Sequence, residues 1–137
     1  MINTFCFENQ TWNLVNNESY EVAPGVHCDS YEIVGNIEQD LAVIRVSSNA
    51  KTPKQVVMKG NQTIELFMKG EGNLIVEDLR GETHVFHFDE SQSGEYLQVN
   101  IGEKMQWIAG NEGLQFAEIC SPPYKEGRFV TVTDTVV

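Results

Sequence analysis

The chain has 137 residues, a formal net charge of -11 and a sequence pI near 4.5. That length suits one domain, which buries about 68% of its unfolded surface on folding. Such acidity repels phosphate backbones and anionic lipid, so the expected partner is a small molecule, with no role at nucleic acid or membranes. No apolar run reaches the ~20 residues that span a bilayer. The first residues, Met-Ile-Asn-Thr-Phe-Cys-Phe-Glu, lack the basic region and apolar core of a secretory signal, so a cytoplasmic location is expected. Cys6, Cys28 and Cys120 are odd in number and share no metal-type spacing, which reads as reduced thiols.

In chain order, residues 1–30 are the least regular stretch. Phe5 and Phe7 alternate on one face and Trp12 and Leu14 on another, but Asn13, Asn16 and Asn17 break the pattern and Pro24-Gly25 marks a turn. This region is expected to be an arm laid over the domain or across a partner subunit. Residues 31–132 then divide into ten short strand candidates, at Tyr31–Val34, Leu41–Val46, Gln55–Met58, Thr63–Met68 and Leu74–Glu77 in the first half. Thr83–Phe88, Tyr96–Ile101, Met105–Ala109, Leu114–Ile119 and Phe129–Val132 follow. Turn residues stand at nearly every break, among them Gly60-Asn61, Arg80-Gly81, Ser93-Gly94, Gly110-Asn111 and Pro122-Pro123. Gly70 and Gly72 bracket Glu71, the signature of a tight hairpin between two strands. No window carries a 3.6-residue apolar period. The expectation is an all-β single-domain sandwich or barrel.

One strand carries an anomaly. Thr63, Glu65 and Phe67 share a face of an otherwise apolar strand, so a carboxylate stands where core is expected. Glu65 is followed seven residues later by Gly72, the second half of the first cupin motif. With Asn100–Ala109 and Glu118–Tyr124 as further cupin-like stretches, residues 40 to 124 resemble the cupin superfamily of RmlC-like jelly rolls. The resemblance implies a cupin-like jelly-roll β-barrel, an inward-pointing Glu65, and a homodimer.

It also exposes a departure. Cupins hold a metal with histidines shortly before the glutamate and another three residues after the second motif's glycine. Here 52–61 contains no histidine, and Met105 stands three residues after Gly102. Glu65 alone remains of the four ligands, and carboxylate, thioether and amide oxygen suit transition metals poorly. A metal-free barrel with no cofactor is expected. His84 and His87 lie three apart on one strand and face opposite sides, leaving one of them as a possible proton carrier, and His27 is isolated.

The remaining site candidates follow from strand faces. Glu118 alternates with Leu114, Phe116 and Cys120. It is either a second carboxylate inside the barrel, sharing acid–base work with Glu65, or a structural group hydrogen-bonded to backbone or paired with Arg45 or Arg128. Met105 and Trp107 share a face and, with Phe67 and Gln55, would line an apolar cavity. Tyr124 and Arg128 are placed to reach over its mouth, where a guanidinium would suit an anionic group on a ligand. The expected function is a small-molecule-binding cupin without the usual metal, acting as an isomerase, epimerase or cyclase through Glu65 and Glu118. Two alternatives stay open: a non-catalytic binding or structural module, and a metalloenzyme with substituted ligands such as Gln55, Glu65 and a histidine from elsewhere in the chain.

Overall fold

A computed structural model describes residues 2–57, 62–121 and 129–131. Ten strands and one 3-10 turn make up these residues. The strands are β1 (Thr4–Phe7), β2 (Gln10–Ala23), β3 (Val26–Ile33), β4 (Asn36–Val46), β5 (Gln55–Val57), β6 (Gln62–Glu77), β7 (Thr83–Phe88), β8 (Tyr96–Val99), β9 (Lys104–Ser121) and β10 (Phe129–Thr131). Every pairing is antiparallel. The path runs β1-β2-β3-β4-β9-β5-β10, and β6 pairs with β7, β8 and β9. This is the all-β jelly roll expected from the turn spacing.

Two long strands, β6 and β9, replace four short ones. Thr63–Met68 and Leu74–Glu77 are not a hairpin, because β6 continues through Gly70-Glu71-Gly72 and pairs with β9 from Gln62↔Ser121 to Glu77↔Lys104. The register shifts between Phe67 and Lys69 and again between Gly70 and Gly72, so the glycines serve bulges. A Cβ on Gly70, whose φ is 95°, would overlap the Gly113 carbonyl oxygen, and one on Gly72 would overlap that of Ile108. The glycines let two bent strands lie against each other at the corner, and the inward residues change from odd to even numbers across it. Met105–Ala109 and Leu114–Ile119 likewise merge into β9.

The N-terminal region is more regular than its asparagines suggest. β2 is a 14-residue strand paired with β3 along most of its length, with shifts between Asn16 and Glu18 and between Glu21 and Ala23. Residues 10–23 and 26–30 are therefore sheet, and Tyr31–Ile33 is the end of β3 rather than a first strand. β1 and the start of β2 pack against the outer side of the sheet. Phe5, Phe7 and Leu14 join Leu41, Ile64 and Ile119 in a cluster on the outer face.

The opposite faces of these strands enclose the other core. Ile44, Phe67, Leu74, Trp107 and Phe116 are among its buried members. Alternation fixes this division: Leu41 and Val43 point out, and Ile44 and Val46 point in. No helix among the described residues is long and apolar enough to cross a membrane.

Candidate functional site

The inner face carries one row that is not apolar. Register places Ala42 opposite Glu118, Glu118 opposite Glu65, and Glu65 opposite Leu97. Directly opposed residues on neighbouring strands have Cβ atoms about 5 Å apart, so two carboxyl groups from residues 53 positions apart meet inside the barrel. Glu65 is fully buried and Glu118 half-buried.

The surroundings of Glu65 decide its charge. Its Oε1 accepts a hydrogen bond from Trp107 Nε1 at 2.9 Å. No donor among the described residues points at its buried Oε2, which is left to the Glu118 carboxyl. Burial, then the Glu118 charge and the contact with the Glu118 carboxyl, push Glu65 well above the usual carboxylate range, and the Trp107 N–H offsets only part of this. Glu65 is thus held as the neutral acid next to a second carboxyl group.

Trp107 is itself fixed from several sides. Its ring stacks on Phe116 at 4.6 Å and 17°, and it packs near Phe88 at 5.4 Å. Its backbone N–H donates to Thr52 Oγ1 at 2.9 Å, and Thr52 N–H donates back to its carbonyl at 2.9 Å. The donor facing Glu65 is therefore preorganised.

A cavity of about 320 Å³ opens beside this pair. Glu65, Glu118, Gln55, Met105 and Trp107 line it, five of the residues singled out from sequence. Gln55 stands opposite Met105 across β5 and β9. Phe67 is a correction: it is fully buried, stacked on Phe88 at 5.2 Å, and supports Trp107 from behind without lining the cavity. Tyr124 and Arg128 lie outside the described residues. Arg45 is no counter-ion for Glu118, because it points to the outer face and pairs with Asp29 at 3.4 Å.

Sequence reasoning missed the rim. Tyr20 and Glu21 of β2 and Thr52 and Pro53 border the opening, and Cys28 joins the wall. The signal of Tyr20, Glu21 and Cys28 was hidden in residues 1–30, a stretch read as irregular, and that of Thr52 and Pro53 in a segment searched only for histidines. Burial pushes the Cys28 thiol up to about 11, so it is a neutral wall group.

The cavity's donors do not fit the usual cupin metal. None of the three histidines lines it: His27 contacts Asp29, His84 contacts Asp78, and His87 contacts Asn73, all away from the pair. One oxygen of Glu65 is already engaged by Trp107, and the other lining groups that could reach a metal are the Glu118 and Glu21 carboxyls, the Gln55 amide, the Met105 thioether and the thiols of Cys28 and Cys120. An imidazole-rich site cannot be assembled from these residues.

Fold and site together define a cupin-type barrel with a carboxyl pair in its interior. Comparison with solved structures places the chain in the cupin jelly-roll fold. It is similar to oxalate decarboxylase from Bacillus subtilis, with a TM-score of 0.69 and 14% identity over 88% of this chain and 33% of that one. It is also similar to a single-residue variant of Streptomyces PAC13 with uridine, with a TM-score of 0.63 and 10% identity over 85% of this chain and 84% of that one. KdgF from Halomonas sp. gives 0.59 and 12% over 80% and 89%. The chain spans about a third of the length of the decarboxylase. No protein-family model matches it, and no curated protein matches it.

Proposed function

We propose that the chain is a small-molecule-binding cupin without the usual metal, in which Glu65 and Glu118 share acid–base work on a bound ligand. The observation that carries this reading is the opposed pair in a 320 Å³ cavity, with one carboxyl fully buried and held neutral. A neutral Glu65 can donate a proton and the facing Glu118 carboxyl can take one up, which is the division that isomerases, epimerases and cyclases need. Solved cupins of similar fold include a decarboxylase and a protein seen with uridine, so the barrel interior is a natural ligand site.

Carboxyl titration by NMR should show Glu65 protonated well above the usual range. A Glu65 signal that titrates like a free side chain would remove the acid. In D2O, protein-dependent deuterium incorporation into small molecules bearing a C–H next to a carbonyl should vanish in Glu65→Gln and Glu118→Gln. Equal incorporation by all three proteins would overturn the assignment.

Elemental analysis of the purified protein should find no stoichiometric transition metal. About one zinc, iron, nickel or manganese per chain, lost in Glu65→Gln, would refute this.

A second copy of the chain is the proposed partner. Among the described residues β7 pairs with β6 alone and leaves Val85 and Phe86 exposed, an edge that pairing would cover. Sedimentation should give about twice the 15.4 kDa chain mass, and a 15.4 kDa species at micromolar concentration would contradict it.

A further inference from the structure

We propose that Thr52 is a positioning residue for the Glu65 acid: it holds Trp107 in place, and Trp107 fixes the Glu65 proton on the oxygen that faces Glu118. The inference rests on the reading of Glu65 and Glu118 as the acid–base pair and adds what sets its geometry. The segment after β4 runs along the edge of β9 as a short ladder. Asn49 N–H donates to the Gly110 carbonyl at 3.0 Å, Ala109 N–H donates to the Ala50 carbonyl at 2.9 Å, and Lys51 bridges to Ile108. The next pair in this register is Thr52 with Trp107, and there the ladder changes. Thr52 N–H still donates to the Trp107 carbonyl, but Trp107 N–H donates to Thr52 Oγ1 at 2.9 Å. The Thr52 carbonyl has turned to Gln106 instead, accepting from its Nε2 at 2.8 Å. Pro53 follows and has no N–H to carry the ladder on. A hydroxyl therefore stands in for a backbone carbonyl, opposite the residue whose indole faces Glu65.

That bond matters because the rings around Trp107 leave it one freedom. Phe116 at 4.6 Å and 17° and Phe67 at 6.4 Å and 23° hold the indole plane, but stacked faces can slide within that plane. The backbone bond to Thr52 stops the slide and keeps Nε1 at 2.9 Å from Glu65 Oε1. A protonated carboxyl accepts best at its carbonyl oxygen, because the other oxygen carries the O–H. Oε1 is therefore the carbonyl, and the proton sits on Oε2, the oxygen left to Glu118. The remaining titratable groups on the described cavity wall are Tyr20 and Glu21 of β2, Cys28 of β3 and Cys120 of β9. Glu118 is the one whose charge and carboxyl contact bear on Glu65. Thr52 thus aims the proton of the pair without touching either carboxyl.

Two NMR readouts on the full chain test this: the Trp107 indole N–H shift and the carboxyl titration of Glu65. Thr52→Val keeps the shape and removes the acceptor, so the indole resonance should move upfield as its hydrogen bond loosens. The Trp107 bond favours the ionised carboxylate, so Glu65 should also titrate at higher pH than in the parent. Trp107→Phe should move that titration the same way and at least as far. Thr52→Ser keeps the hydroxyl and should return both readouts to parent values. A serine variant that behaves like the valine one would overturn the proposal. Gly81→Ala is destabilised by its φ of 82°, far from the site, and should move neither readout. If it moves them as Thr52→Val does, the effect is general loosening and the proposal fails. Parent values in Thr52→Val, with Glu65 still moved by Trp107→Phe, would overturn the role of Thr52 and keep the Trp107 bond. An unmoved Glu65 in Trp107→Phe would overturn the proposal at the Trp107 step and leave the acid–base pair standing. A parent Glu65 that titrates like a free side chain would bring down that pair and this inference together. Should Thr52→Val not fold, Thr52→Cys takes its place, because its sulfur is a weak acceptor. It should shift both readouts in the same directions, and parent values in it would overturn the proposal.

Discussion

Glu65→Gln is expected to leave the barrel folded, raise its stability at neutral pH, and abolish any proton transfer it performs. Glutamine has the shape of the protonated acid. Its amide oxygen can keep the Trp107 Nε1 bond, and its NH2 can donate to Glu118, so the swap preserves the contacts that a neutral Glu65 makes. It cannot ionise and cannot give up a proton in turnover.

The pH dependence follows from the direction of the shift. The folded protein holds the Glu65 proton well above the ordinary 4.5, chiefly because the site is buried and next because Glu118 faces it. Below pH 4.5 folded and unfolded chains both carry the proton, and the full stability is present. As pH rises, the unfolded carboxyl ionises and the folded one resists, so stability falls by about 1.4 kcal/mol per pH unit until the folded group also ionises. The glutamine variant has no such slope. Urea melts between pH 4 and 8 should therefore show two curves that meet near pH 4 and separate above it, with the variant more stable. Parallel curves would mean that Glu65 is ionised in the folded protein. Glu118→Gln removes the second cause of the shift, so its slope should end at lower pH than in the parent chain.

Much of this arrangement was legible because strand side chains alternate. Thr63, Glu65 and Phe67 on one face, and Phe116, Glu118 and Cys120 on another, follow from period two alone. That the faces oppose each other is a matter of register between strands 53 residues apart, and no local pattern encodes it. The bond from Trp107 to Glu65 spans 42 positions and was equally invisible. Phe67 was assigned to the cavity because alternation tells inward from outward but not how deep an inward side chain lies. Tyr20 and Glu21 were missed because Asn13, Asn16 and Asn17 disguise a strand whose solvent-facing residues are mostly polar and whose register shifts twice. The turn reading of Gly70-Glu71-Gly72 failed for a related reason. A glycine with positive φ serves a bulge as readily as a hairpin, and only the continuous ladder with β9 separates the two.

The glycines at this corner carry the largest expected stability effects. At Gly72 φ is ordinary, so alanine there brings no conformational strain, but its Cβ would meet the Ile108 carbonyl oxygen and Leu114 Cδ2, with Ala109 Cα at 3.1 Å. Two of these three contacts are with backbone in the paired strand β9, which cannot step aside without breaking the ladder at Gly72↔Ala109. Gly81 offers the contrast. Its φ is 82° and nothing lies within 4 Å of an added Cβ, so alanine there costs only the left-handed conformation, about 1–2 kcal/mol. Gly72→Ala should cost about 3 kcal/mol or more, a large part of the ~5–15 kcal/mol that holds a domain folded. Gly70→Ala, which combines positive φ with overlap at the Gly113 backbone, should cost more still. The disturbance should also reach the site, because Leu74, two residues past Gly72, pairs with Trp107. Urea melts of the three variants give the ranking, and the Trp107 indole resonance reports the disturbance. If Gly72→Ala is as mild as Gly81→Ala, β6 and β9 are not packed closely at this corner and the continuous-strand reading is wrong.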